Sequence, residues 1–187
     1  MTKELMAVAF NAPNATNAAA DANARQCQPC TACCDGWVRI NVFDQPVLPG
    51  KPCPHSAGPI TKAGGGGCRI YAERPIDPCI NFSCAWVRPA SHLPDWMRPS
   101  EAKVIVLAEW TTWRTFPVDL ALPVGPRVPA KALKWLQEYS KKTFRPLIYA
   151  EQETTKSGHF TGEQRVHGFG PPTFQEEMSA LIRDRKL

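Results

Sequence analysis

Apolar and polar positions along the chain fall into three regimes, and each predicts a different kind of structure. Residues 11–26 are small and polar with no apolar periodicity, so residues 1–26 read as a disordered leader. From Cys27 to Arg98 the apolar positions come in short pieces broken by proline. Within them Val38 to Phe43 alternates apolar and polar and predicts a strand, and Cys68 to Glu73 predicts a helical turn that Arg74-Pro75 ends. Beyond Ser100 the pattern becomes regular. Lys103 to Trp113 is rich in β-branched and aromatic residues and predicts a strand, and Val118 to Val124 predicts a second one closed by Gly125-Pro126. Pro129 suits the first position of a helix running through Lys142, with Leu133, Trp135, Leu136 and Tyr139 as its apolar stripe. Pro146 to Ala150 predicts a third strand and is followed by a Gly-rich polar loop. Thr173 and Glu176 then read as a capping box for a last helix, with Phe174, Met178, Leu181 and Ile182 on one face. The expected fold class is α+β: an irregular cysteine-rich lobe over 27–98, then a region over 99–187 with a small antiparallel sheet and two helices.

Composition narrows the setting. With 187 residues, the chain can hold one ordinary domain, or a small stapled module and a second lobe. Lys and Arg number 22 against 17 for Asp and Glu, and a net charge of +5 spread this thinly argues against nucleic acid as a partner. No apolar run reaches the roughly 20 residues of a membrane helix. The apolar run Leu5 to Phe10 stops at Asn11, too short for the core of an export signal, so a cytoplasmic, reducing location is expected. The 19 prolines argue against extended regular structure in the lobe and for one stapled by metal.

The cysteines carry the chemistry. All 8 lie between positions 27 and 84, as Cys27, Cys30, Cys33, Cys34, Cys53, Cys68, Cys79 and Cys84. A disulfide framework would need an oxidising compartment, and adjacent Cys33 and Cys34 would need separate partners, because a vicinal bridge is strained. Thiolates at such spacing are soft ligands suited to zinc or to an iron–sulfur cluster. A C-x2-C turn aims two sulfurs at one ion, but Cys27/Cys30 and Cys30/Cys33 overlap, and a single tetrahedral zinc does not easily use both. The same overlap is the spacing with which ferredoxins hold three corners of a [4Fe-4S] cubane, and Cys53, which precedes Pro54, would supply the fourth. Against that, eight thiolates divide into two zinc sites of four. Zinc leads, and iron or a [4Fe-4S] cluster stays open.

The run Cys27-x-x-Cys30-x-x-Cys33-Cys34, the segments Pro52-Cys53-Pro54-His55 and Gly67-Cys68-Arg69-Ile70-Tyr71, Arg74-Pro75 before Cys79, and Phe82-Ser83-Cys84 together resemble the YkgJ-type CxxCxxCC cysteine-cluster family. The resemblance covers roughly residues 27–100 and implies a zinc- or iron-chelating domain. Flagellin lysine N-methylases carry a related cluster, which implies as an alternative an iron–sulfur protein with a redox or methyl-transfer accessory role. Two departures stand out: three residues rather than two separate Pro75 from Cys79, and Ile80 stands where an arginine is common in relatives. A further reading, in which bound metal merely holds a peptide- or nucleic-acid-binding surface, leaves the partner unnamed.

Other residues weigh less. His55 could replace a thiolate, but reads more simply as a loop histidine. Gly64 to Gly67 lacks the following Lys-Ser/Thr of a phosphate loop and reads as a turn that frees Cys68. Ser157, His159, Glu163 and His167 could be arranged as a hydrolase, but nothing in their spacing fixes a geometry, and no catalytic set is recognisable. Trp86, Trp96, Trp110, Trp113 and Trp135 read as packing residues. Arg69, Arg74 and Arg88 lie close enough in sequence to the thiolates to offset their charge.

Overall fold

A computed structural model describes residues 25–58 and 66–184. The expected leader therefore lies almost wholly outside the described residues, and of the glycine run only Gly66 and Gly67 are inside them. A hairpin comes first, β1 (Ile40–Val42) paired antiparallel with β2 (Gln45–Val47). Its two-residue turn is Phe43-Asp44, both at positive φ (47° and 61°). Such turns favour Asn-Gly, which is why the second strand was not legible from sequence. Tyr71–Glu73 forms a short 3-10 turn where a helical turn is expected.

After the four-residue helix α1 (Pro99–Ala102) comes a four-stranded sheet in the order β3 (Val104–Trp113), β4 (Phe116–Pro123), β5 (Leu147–Thr154), β6 (Phe160–Phe169). α2 (Ala130–Thr143) connects β4 to β5 and α3 (Pro172–Asp184) follows β6. The α+β class holds. The sheet, however, is mixed rather than antiparallel: β4 and β5 run parallel, Asp119 opposite Leu147 and Ala121 opposite Tyr149, because α2 carries the chain back before β5 begins. β6 occupies the stretch read as a loop. It is an edge strand whose inner positions are only half-buried, so glycines and charges replace the apolar alternation that marks a strand. Pro129 immediately precedes α2 rather than opening it. α3 starts at Pro172, which puts Thr173 inside the helix instead of at its cap; the Gln175 side chain donates to Gly170 O (2.8 Å) there. Phe174 is buried and Met178 packs on the core, but Leu181 is 51% exposed, outside the expected face.

One apolar cluster runs through the sheet and into the cysteine-bearing region. It joins Val104, Ile105, Val118, Ala121, Leu147 and Ala150 of the strands to Val38, Ala85, Trp86, Leu93 and Met97. Burial of this kind stabilises by about 25 cal/mol per Å2 of apolar surface removed from water. Both edges of the sheet are covered by the preceding region. The Ala85 N–H donates to Val106 O (2.7 Å) along β3, which fixes the residue after Cys84. On β6, Arg39 donates to the Gly162 carbonyl, and the Trp37 ring meets Phe160 edge-on with centroids 5.0 Å apart. Buried Asp119 steadies the middle of the sheet, accepting from the Glu109 N–H at the β3 bulge (2.9 Å) and from Arg145 (2.8 Å).

Gly36 is the tightest point. It lies in the turn Cys33–Trp37 at φ 94°, and a Cβ there would stand 2.2 Å from the Leu48 carbonyl oxygen. Gly36→Ala therefore faces both backbone strain and a clash with backbone, and is expected to lower stability by about 2–4 kcal/mol in urea unfolding. Gly158→Ala meets no atom within 4 Å at φ 83° and should cost about 1 kcal/mol. Equal losses for the two would contradict the close approach.

Candidate metal centre

The chain from Cys27 to Trp37 folds as two successive turns. The Cys30 N–H donates to Cys27 O (2.9 Å), closing the first C-x2-C turn, and bonds from Asp35 N to Thr31 O (2.8 Å) and Trp37 N to Ala32 O (3.3 Å) wind the next one. Cys33 and Cys34 are neighbours on that winding, so their side chains leave the axis in different directions.

Packing follows the divergence. Cys84 is buried in the main core, and Cys30 and Cys33 pack against that same cluster. Cys53 is buried in a second, smaller cluster with Val42 and Val47, and there Cys34 and Cys79 pack against it. Two backbone contacts build the second group. The Cys53 N–H donates to Cys34 O (2.8 Å), and the loop after Cys53, closed by Ser56 N to Cys53 O (2.9 Å), bridges to Cys68 through Ser56.

The charges felt by the thiols fall largely along the same line, with two crossings. Burial first, then Cys84, Cys27, Cys30 and Cys34, drives the Cys33 thiol well above its ordinary range. Burial and then Cys68, Cys27, Cys53 and Cys79 push Cys34 up to about 12. Cys79 is raised by burial and by Cys53 and Cys68, with Arg74 opposing. Desolvation followed by Cys30 and Cys84 raises Cys27 to about 11, with Arg74 again opposing. Cys84 is raised by burial, while the backbone amides of Val87 and Trp86 and the Arg88 guanidinium favour its thiolate. Cys33 with Cys34, and Cys27 with Cys34, influence each other across the division.

All eight thiols are free. Among the described residues no three His, Cys, Asp or Glu side chains are disposed as ligands around a metal ion, although the thiols lie within electrostatic reach of one another. Grouping and closure are thus separate properties, and the chain has the first. The donor set suits a thiophilic cation: burial and neighbouring thiols push Cys27, Cys33, Cys34, Cys79 and Cys84 toward the protonated form, and a bound divalent cation would supply the positive charge that releases the protons.

The structure assigns the remaining candidates. Cys53 packs in the small cluster with Cys34 and Cys79, while Cys84 lies in the main core, against which Cys30 and Cys33 pack. The His55 ring packs edge-on against Phe43 (centroids 5.7 Å). Arg74 and Arg88 lie where they favour ionised thiols, whereas Arg69 donates to Pro54 O (3.5 Å). Ser157 and His159 bond to each other (2.9 Å) in the exposed β5–β6 turn, and Thr155 bonds the same serine (2.9 Å), which is turn chemistry. His167 stacks on Tyr149 and faces Glu151 at 3.7 Å on the sheet. The five tryptophans pack in or against the main core. Among the described residues no helix is long and apolar enough to cross a membrane. Comparisons with protein-family models, with curated proteins and with solved structures find no match.

Sequence reading passed over Asp35, directly after the CxxCxxCC run. Its carboxylate accepts from Thr31 Oγ1 (2.8 Å) and Ser56 Oγ (3.1 Å), tying the double-cysteine turn to the loop between Cys53 and Cys68. Asp35→Ala leaves both hydroxyls without their acceptor. It should cost about 1–2 kcal/mol in unfolding and weaken zinc binding by roughly 10- to 100-fold in a competition titration. Unchanged zinc affinity would show that Asp35 does not orient the thiols.

Proposed function

We propose that this protein binds metal through its eight cysteine thiolates and that zinc is the metal held. The observation that carries the reading is that six of the eight free thiols pack in two clusters, Cys30, Cys33 and Cys84 in one and Cys34, Cys53 and Cys79 in the other, although the residues span positions 30 to 84 of the sequence. Neighbouring, partly buried thiols repel one another once ionised, so they favour a cation that neutralises them. Zinc supplies tetrahedral closure of thiolates without redox chemistry. The chain's own residues supply the rest. Trp86 and Val87 amides and Arg88 favour the Cys84 thiolate, Arg74 does so for Cys27 and Cys79, and Asp35 holds the turn that presents Cys33 and Cys34. The resemblance to the YkgJ-type family agrees with this reading.

An iron reading is favoured by one feature. Cys27, Cys30 and Cys33 stay on the side of a single remote cysteine, Cys84, and three closely spaced sulfurs with one distant partner suit the corners of a cubane.

Protein purified under reducing conditions without oxygen is expected to be colourless and to carry about two zinc ions per chain, because a filled d shell gives no visible transitions. A brown protein absorbing at roughly 400 nm, with iron and sulfide, would establish the iron reading instead. Metal of either kind well below one ion per chain would contradict both. His55→Ala should keep the full content while Cys30→Ser loses about half of it; equal losses would contradict the ligand assignment.

Removing zinc should act unevenly. The β1–β2 hairpin and the Cys53 loop rest on a cluster of only three fully buried residues, Val42, Val47 and Cys53, whereas the sheet keeps its large core. Hydrogen exchange after chelation is expected to rise at least tenfold in residues 40–58 while residues 104–107 and 118–123 stay protected. Equal loss of protection in both would contradict this account.

A further inference from the structure

We propose that the outer face of α2, with the phenyl ring of Phe144 that ends it, is a docking surface for an anionic lipid bilayer. The proposal is independent of the cysteines and of any metal they hold. Lys131, Lys134, Lys141 and Lys142 are all exposed, and Glu138 is the single acidic residue of the helix. At that spacing the four lysines share the side opposite Ala132, Leu136 and Ser140, which are buried against the core.

Charge, an exposed ring and the kind of cation point to this partner. Among the described residues none of the four ammoniums forms an ion pair; Lys131 lies over the Trp96 ring (4.4 Å) and Lys141 near that of Phe169 (5.6 Å). The positive charge of the face is therefore uncompensated. Phe144 takes the left-handed conformation that closes the helix (φ 56°, ψ 28°), with its N–H donating to Ser140 O, a position that glycine holds with less strain. Its ring is nonetheless 74% exposed, more than any other large apolar side chain among the described residues. Leu147, which opens β5 just beyond, pairs with Phe169, so a second, half-buried phenyl lies at the same end of the sheet. Lysine ammoniums are hydrated point charges on flexible stems and suit a diffuse anionic surface, whereas a two-pronged grip on one phosphate or carboxylate calls for arginine. Arg145, next in sequence, is already committed to Asp119 (2.8 Å) and Glu109 (3.3 Å). A nucleic acid would need ring faces open to its bases, but Trp135 and His92 both stack on Tyr139. What the face offers is a convex set of cations with a projecting phenyl, which places ammoniums among lipid headgroups and the ring beneath them.

The test is flotation of the full reduced chain with phosphatidylcholine vesicles carrying about one-third phosphatidylserine, set against vesicles of phosphatidylcholine alone. Binding is expected to the anionic vesicles only, and it should fall at least tenfold between roughly 0.05 M and 0.3 M salt as the charges are screened. Lys141→Gln with Lys142→Gln should weaken it roughly 10- to 30-fold, at about fivefold per lysine. Lys156→Gln, in the exposed β5–β6 turn, should leave it unchanged. Phe144→Gly separates contact from folding: vesicle binding should drop roughly tenfold while the urea midpoint is maintained, because glycine suits the left-handed position, and Phe144→Trp should keep the binding. Equal binding to the neutral vesicles, no binding to either kind, or anionic binding that the α2 and Phe144 variants leave intact would each overturn the proposal. Capture of a single-stranded oligonucleotide that is lost in the same variants, with the vesicles unbound, would overturn it in favour of a nucleic acid.

Discussion

The arrangement of the Cys33–Cys53 side depends on how closely one carbonyl approaches one glycine. Leu48 O lies where a side chain at Gly36 would be, and this seats the chain after the β1–β2 hairpin on the Cys33–Trp37 turn. Once it is seated, Cys53 can bond to Cys34, and Ser56 can reach both Asp35 and the strand bridge to Cys68. The ligand-bearing loops are therefore ordered by backbone contacts and a carboxylate, with apolar burial contributing little in the small cluster. A lobe of this kind has few ways to be stable alone, which is the usual circumstance in which bound metal contributes folding energy.

The two ends of the lobe have different supports. The Cys84 end leans on the sheet edge and on the main core, where Trp86 is buried and its indole N–H donates to Asp95 O (3.1 Å). The Cys53 end has a hairpin and three buried side chains. Thiols at both ends are pushed toward the protonated form by burial and by one another, with Arg74 and Arg88 opposing. Thiols that ionise here add negative charge beside one another, and a divalent cation would balance it.

Much of the regular half was legible because its signals were strong. β4 is central and buried on most positions, β3 is buried over its first four residues, and α2 shows its stripe in Ala132, Leu136 and Ser140 with Leu133 and Trp135 beside them. β6 was hidden because an edge strand with half-exposed faces needs no apolar alternation, and β2 because Phe43-Asp44 is an uncommon pair for its turn. The parallel β4–β5 pair follows from chain path, which local pattern does not encode. At the site, the residue types and the spacing of the CxxCxxCC run pointed to soft-metal chemistry, but spacing alone gave Cys53 as the remote partner of Cys27, Cys30 and Cys33. The residue after Cys84 is bonded to β3, a contact between residues 21 positions apart, Ala85 and Val106, which local spacing does not encode. Asp35 gave no signal beyond its position after Cys34.

The central claim is that zinc sits in two separate all-thiolate sites, and X-ray absorption at the zinc edge on the fully loaded chain tests it most directly. The account predicts an average shell of four sulfurs at about 2.3 Å with no nitrogen or oxygen and no neighbouring zinc. A nitrogen or oxygen ligand in the shell, or a zinc–zinc distance indicating one shared cluster, would contradict it.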